Sequence, residues 1–464
     1  MAVTEADATQ AVGALETSLK SLPEHVDSST FLEKLTALIT YLQDSEKLLI
    51  ISIKRAQGEP YVEALPETGS AEFGWLPYLF REANKDTDDP LVKAFQGYLH
   101  DVFGKYTETA EKVISYLGIV LDPQMTAQQW QFLENHLQSS DVIAADGTIV
   151  GGQKYEDLDK EWLYTVPNYL YNLLFKAKAE FTCASNPLNP FNHPIGEGAS
   201  QIKVAIIGDW GTGSYATDNG AHVPAMEVLQ AVENLQPDYV IHLGDVYYCG
   251  TQDRPPSGEE QENLVALWPA QFKGKSLTLN SNHEMYGGAE GYFNIALKRG
   301  PESANSPFSL QQGYSYFALE FDPFVIVGID AAYFDTSALY MTGGISTVKE
   351  SPDNPQLLFL QQIAKQYHDK QIILMSHQTP MSTDGKTLKD YPLLEQVQAT
   401  GITPAYWYWG HIHLGLVYGE DAAVTKAANT KCRCVGHSAI PFGAPWGLNA
   451  DGNVIEFIAR TAVE

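Results

Sequence analysis

The stretch that decides the fold opens with Val204-Ala-Ile-Ile-Gly-Asp209 and is answered downstream by Ile241-His-Leu-Gly-Asp245. Each is a short apolar run rich in β-branched residues, the pattern of a strand buried on both faces, and each ends in an aspartate. Three further runs end in the same manner: Leu277-Thr-Leu-Asn-Ser-Asn282-His283-Glu284, Ile373-Leu-Met-Ser-His377 and Trp409-Gly-His411-Ile-His413. Ligands of open α/β sheets bind just beyond the carboxyl ends of the strands, so five strand ends here deliver oxygen and nitrogen donors to one edge. Asp245 follows Asp209 by 36 residues and Asn282 follows Asp245 by 37, each the length of one βαβ crossover. The spacing predicts a helix over Val223 to Leu235 between the first two strands and another over Gln356 to Gln366 before Ile372. Tyr314 to Phe321, Val325 to Ile329 and Tyr406 to Trp409 complete the expected strands.

Upstream of this region the period changes. Residues 184–200 carry three prolines and neither a helical nor a strand period, which marks a linker between residues 1–183 and 201–464. The first of these segments reads as mainly helical. Thr30 and Glu33 form a capping box before Phe31, Leu35, Leu38, Ile39 and Leu42, a helix expected to run to about Arg55. Thr126 and Gln129 repeat the device before Trp130, Leu133 and Leu137, and Trp162 to Phe181 continues the pattern with Pro167 early in its course. Val142 to Val150 reads as a hairpin turning at Asp146-Gly147. This helical half is expected to shape the mouth of the site or to mediate self-association.

The 464 residues suffice for at least two domains, and 44% hydrophobic content excludes a disordered chain. A net charge of −28 disfavours a partner bound through a phosphate backbone, so no nucleic-acid polymer is expected. Four cysteines, Cys183, Cys249, Cys432 and Cys434, make no disulfide framework and no structural zinc site. The opening Met1-Ala-Val-Thr-Glu-Ala-Asp lacks the basic and apolar regions of a secretory signal, and no apolar run reaches the ~18 residues of a membrane span. A cytoplasmic protein is therefore expected.

Two aspartates, and Tyr248 with them, gathered with three histidines and an amide would be costly to bury without cations. Two metal ions about 3.5–4 Å apart would neutralise them, with Asp245 placed to bridge. His411 and His413, at a spacing of two, share one face, as two adjacent metals require. His242 reads as a core histidine, and His437 carries no assignment.

The ordered blocks Gly208-Asp-Trp-Gly211, Gly244-Asp-Val-Tyr-Tyr248, Ser281-Asn-His-Glu284, Ser376-His377 and Gly410-His-Ile-His413 resemble those of the calcineurin-like metallophosphoesterases. The resemblance spans roughly residues 200–440. Gly211 stands where most of that family has a ligand histidine, and Tyr248 lies three residues beyond the second aspartate; in both respects the chain is similar to the purple acid phosphatase branch. Ser281 replaces a usual glycine, and Leu374-Met-Ser-His377 replaces the family's Val-x-x-His. The resemblance implies a four-layer αββα sandwich. It also implies Fe(III) held by Asp209, Asp245, Tyr248 and His413, and a divalent Fe, Zn or Mn held by Asp245, Asn282, His377 and His411. Asn282 and His283 would meet the substrate, with His283 as phosphate contact or general acid.

The expected reaction is hydrolysis of a small phosphomonoester by a metal-activated hydroxide. A phosphodiesterase acting on cyclic nucleotides or other small diesters is the nearest alternative. A metal-binding scaffold without catalysis is the alternative from another class.

Overall fold

The computed structural model describes residues 5–20, 28–56, 73–74, 76–82, 90–121, 142–143, 149–150, 154–155, 159–175, 177–182, 192–194, 201–216, 220–345, 354–440, 448 and 450–458. The chain divides into two compact units, Met1–Ala177 with Thr461–Glu464, and Lys178–Arg460. The division precedes the expected linker. Lys178 to Phe181 is already fastened to the second unit: Ala179 N donates to Gly288 O at 2.8 Å, Tyr333 Oη donates to Ala179 O at 2.7 Å, and the Phe181 ring stacks on Tyr316. Within 184–200, Asn192–Pro194 forms a strand rather than a free connection.

The first unit holds α1 (Glu5–Lys20), α2 (Ser28–Ala56), α3 (Leu76–Glu82), α4 (Pro90–Phe103), α5 (Thr107–Leu121) and α6 (Thr165–Phe175). Leu35, Leu38 and Leu42 of α2 are fully buried, as their spacing requires, and α2 starts at Ser28, so Thr30 falls inside its first turn. α5 packs on α1 and α3 and buries Val113, Ile114 and Leu117. The expected Trp162 helix is a 3-10 turn over Lys160–Tyr164 followed by α6, which stops at Phe175; Pro167 lies in its first turn, where no N–H is needed. Val142 pairs with Val150 antiparallel in the short strands β1 (Val142–Ile143) and β2 (Ile149–Val150). The Asp146-Gly147 turn and the Thr126 to Leu137 segment lie outside the described residues.

The second unit is a four-layer αββα sandwich built on two sheets. One has β4 (Val204–Ile207), β5 (Tyr239–His242) and β6 (Ser276–Thr278), all parallel and in sequence order. Helix α7 (Pro224–Leu235) makes the β4 to β5 crossover and buries Ala225, Leu229 and Val232, the leucine and the valine each contributing about 2 kcal/mol. After β6 comes the short helix α8 (Asn282–Tyr286).

The second sheet draws on β3 (Asn192–Pro194), β7 (Phe317–Phe321), β8 (Phe324–Gly328), β9 (Gln371–Ser376), β10 (Tyr406–Trp409), β11 (Gly415–Tyr418), β12 (Lys431–Val435) and β13 (Val454–Ile458). Their spatial order is β13-β11-β12-β10-β9-β8-β7-β3. Strands β8, β9, β10 and β12 run parallel, so their carboxyl ends share one edge, and a helix over Pro355–Gln366 links β8 to β9. Strands β3, β11, β12 and β13 were not expected from the sequence: Lys431-Cys-Arg-Cys-Val435 alternates exposed and buried positions, and the others are short.

The edges of the two sheets meet over Asp209 and Asp245. A Cβ at Gly211 would lie 2.3 Å from Asp245 O, because Gly211 and Val246 form a bridge between the loops after β4 and β5. The histidine usual at this place in the resembled family has no room here. No described helix is long and apolar enough to cross a membrane.

Candidate metal centre

The turns just beyond two strands of the first sheet, β4 and β5, are forced. Asp209 (φ 58°) and Asp245 (φ 76°) are left-handed, as is His411 (φ 70°) beyond β10. Non-glycine residues adopt this conformation at a cost and concentrate where function requires it. Asp209, Asp245 and His377 present ligand atoms within 4.8 Å of one another, all buried.

The Asp209 carboxylate accepts the main-chain N–H of His411, at 3.0 Å to Oδ1 and 2.9 Å to Oδ2. A Cβ at Gly410 would stand 2.5 Å from Asp209 Oδ2, so the Trp409-Gly410-His411 turn fits around this carboxylate only with glycine.

His377 Nδ1 donates to Leu243 O at 2.8 Å, which leaves Nε2 of the neutral ring with a lone pair. That Nε2 lies 3.1 Å from Asp245 Oδ1 and 2.9 Å from Asn282 Oδ1. His411 Nε2 donates to Met341 O at 3.1 Å, and its bare Nδ1 lies 3.0 Å from Asn282 Oδ1. The Asn282 amide nitrogen donates away from the cluster, to Tyr286 Oη at 3.0 Å. Four acceptors thus face one another with no proton between them, and Asp245 Oδ1 has no hydrogen-bond partner. Such an arrangement is repulsive unless a cation enters it, and the residues present fit that cation: imidazole, amide oxygen and carboxylate suit Zn, Mn or Fe(II).

On the other side of the same carboxylate, Asp245 Oδ2 accepts the hydroxyl of Tyr247 at 3.0 Å, and that hydroxyl lies 3.1 Å from His413 Nε2. His413 Nε2 is also 3.5 Å from Asp209 Oδ1 and 3.8 Å from Asp245 Oδ2. Tyr247, which the sequence reading did not single out, thus brings its phenol to these groups beside the expected Tyr248. The Tyr248 main chain is fixed on both sides, with N donating to Glu259 Oε1 at 2.5 Å and O accepting His283 Nδ1 at 2.8 Å.

His283 consequently keeps its Nε2 lone pair, 3.9 Å from Asp245 Oδ2, with its ring edge-on to Tyr247 and Tyr286. Burial pushes its pKa down to about 4, against the pull of Asp245. Burial takes His411 down to about 3. The two carboxylates diverge. Burial and the charge of Asp245 hold Asp209 well above the usual carboxylate range. Asp245 lies well below it: burial raises it, but the nearby His377 and His283 outweigh that.

Four supporting residues surround these groups, and the sequence reading gave a role to none of them. Ser281 Oγ caps α8 by accepting His283 N at 3.0 Å, a task the usual glycine could not perform. Buried Glu259 accepts the main-chain N–H of both Tyr248 and Cys249, and burial lifts its pKa to about 7. Tyr286 and Met341 flank Asn282. Only Ser281-x-x-Glu284, a capping-box pattern, gave a signal. His242, as expected, is a buried histidine: it is hydrogen-bonded to Thr278 Oγ1 and packed edge-on to Trp210.

Residues 202–415 match the family model described as calcineurin-like phosphoesterase. No curated protein shows a significant match to the chain. A solved structure titled "Structure of PhoD" is similar at 9% identity with a TM-score of 0.35; the likeness covers 55% of this chain and spans 61% of that one. Residues 202–415 form a calcineurin-like phosphoesterase domain.

Proposed function

We propose that the protein hydrolyses small phosphomonoesters at a centre of two metal ions that share Asp245. The observation that carries this reading is the division of labour on that carboxylate, with Oδ1 facing Asn282, His377 and His411, and Oδ2 facing Tyr247 and His413. Asp209, Asp245, Tyr247 and His413 would hold one ion, and Asp245, Asn282, His377 and His411 the other. A phenol next to two carboxylates suits a hard trivalent ion, so Fe(III) is the proposed occupant on the Tyr247 side and Fe, Zn or Mn on the other. Bound there, the ions supply Lewis-acid stabilisation of the phosphoryl group and an activated nucleophile.

The chain's own residues do the rest. Asn282 and His283 lie beside one another at the start of α8, where they can orient the phosphoryl oxygens. His283 is neutral above its depressed pKa, with Nδ1–H committed to Tyr248 O, so at neutral pH its Nε2 accepts a proton or a hydrogen bond. It serves as a donor to the leaving oxygen only after Nε2 is protonated, which favours acidic conditions.

The test is turnover of an aryl phosphate monoester beside the matching diester, with bound metal counted on the same sample. Two metal equivalents and a monoester preference support the reading. A diester preference moves the substrate class to small phosphodiesters, and full metallation without turnover of either ester removes the enzymatic reading.

A further inference from the structure

Asn282 offers its amide to the cluster in one orientation only if something accepts its N–H groups. One helical turn on in α8, Tyr286 is fully buried, and its Oη accepts Asn282 Nδ2 at 3.0 Å. The Met341 sulfur lies 3.9 Å from both Asn282 Nδ2 and Tyr286 Oη and adds only a weak acceptor. The two imidazole nitrogens on the far side, His377 Nε2 and His411 Nδ1, are lone pairs that would themselves draw an amide N–H. Without Tyr286 the amide would gain by rotating, turning its NH2 toward the histidines and its oxygen away from them. The tyrosine hydroxyl makes the cation-facing orientation tolerable, because the N–H left on the other side is buried and needs a partner.

We propose that Tyr286 is a positioning residue that holds Asn282 Oδ1 toward the Asn282–His377–His411 side of the centre and thereby sets the affinity of that side for its divalent ion, leaving the Tyr247 side untouched. This rests on the two-metal reading above. Partners that orient a metal ligand are commonly worth about 10–100-fold in affinity.

The experiment is a titration of metal-free full-length protein with Zn2+ or Mn2+, comparing wild type with Tyr286→Phe, which keeps the ring that packs on His283. One site is expected to weaken by about 10–100-fold while the other is unchanged, and activity is expected to return toward the wild-type kcat as metal is raised. Tyr286→His, which restores a polar acceptor on a ring, is expected to recover part of the affinity. Equal affinities in wild type and Tyr286→Phe overturn the inference, as does a parallel loss at both sites, which is what a merely structural role would give. Fewer than two equivalents bound by wild type overturns the two-metal reading itself, a result distinct from either of these.

Discussion

Around Oδ2 of Asp245 stand a phenol, an imidazole and a second carboxylate; around Oδ1 stand an amide oxygen and two imidazole nitrogens. The first neighbourhood contains a proton of its own, on Tyr247, and that proton already satisfies the carboxylate oxygen it meets. The second contains none, and its carboxylate oxygen is left without a partner. The two differ in donor chemistry. An acceptor-only cluster needs a cation to be stable, whereas a cluster with a phenol can stand half-satisfied and yield its proton when a more highly charged ion arrives.

Removing the shared element breaks both halves at once. Asp245→Asn is expected to lower kcat/KM by on the order of 10^3-fold, since metal stabilisation is worth several kcal/mol and each 1.4 kcal/mol is tenfold; steady-state kinetics at saturating metal checks it. Next in size is the backbone that sets the two aspartates side by side. Gly211→Ala would place a Cβ against Asp245 O and Val246 Cα and is expected to cost about 3 kcal/mol, read from chemical unfolding.

The phenol separates the two halves most sharply. In iron-loaded, air-oxidised protein, Tyr247→Phe is expected to abolish a visible phenolate-to-iron band and to lower activity about tenfold to a hundredfold, while Tyr248→Phe keeps the band. Loss of the band in Tyr248→Phe alone would return the ligand to Tyr248.

A separate effect, on stability alone, concerns a histidine outside both halves. Burial takes His242 down to about 3, so the unfolded chain binds a proton near pH 6.5 that the fold refuses until about pH 3. Its contribution to stability therefore rises with pH across that window and is complete above 6.5. The slope is at most about 1.4 kcal/mol per pH unit, and His242→Gln is expected to flatten the wild-type dependence of unfolding free energy between pH 4.5 and 6.5.

Much of this centre was legible because strand ends leave a one-dimensional trace. A β-branched run followed by Gly-Asp, or by Asn-His, states that a polar donor sits where a buried strand stops, and the near-equal spacing of Asp209, Asp245 and Asn282 states that successive strands stop together. The pair His411 and His413 was readable in the same way, although the chain turns left-handed at His411 instead of continuing the strand. Tyr248 was the natural choice by spacing alone. That the neighbouring Tyr247 meets the Asp245 carboxylate, and that Glu259 binds the main chain of Tyr248 and Cys249, has no sequence period.

The domain division follows the same logic. Three prolines in 184–200 announced irregular chain, but prolines do not report what the flanking residues touch. Phe181 lies among Phe293, Tyr316, Tyr333 and Phe334, aromatic residues more than a hundred positions away, and this packing draws the segment into the second unit.

By itself, the sequence determined which donor types gather at one sheet edge, since periodicity and strand length are local properties of the chain. Only the tertiary structure decided which oxygen of Asp245 faces which neighbours, which tyrosine stands with it, and which proton each imidazole keeps. Those outcomes depend on hydrogen bonds between residues far apart in the chain, such as His377 Nδ1 to Leu243 O and His411 Nε2 to Met341 O, and no local pattern encodes them.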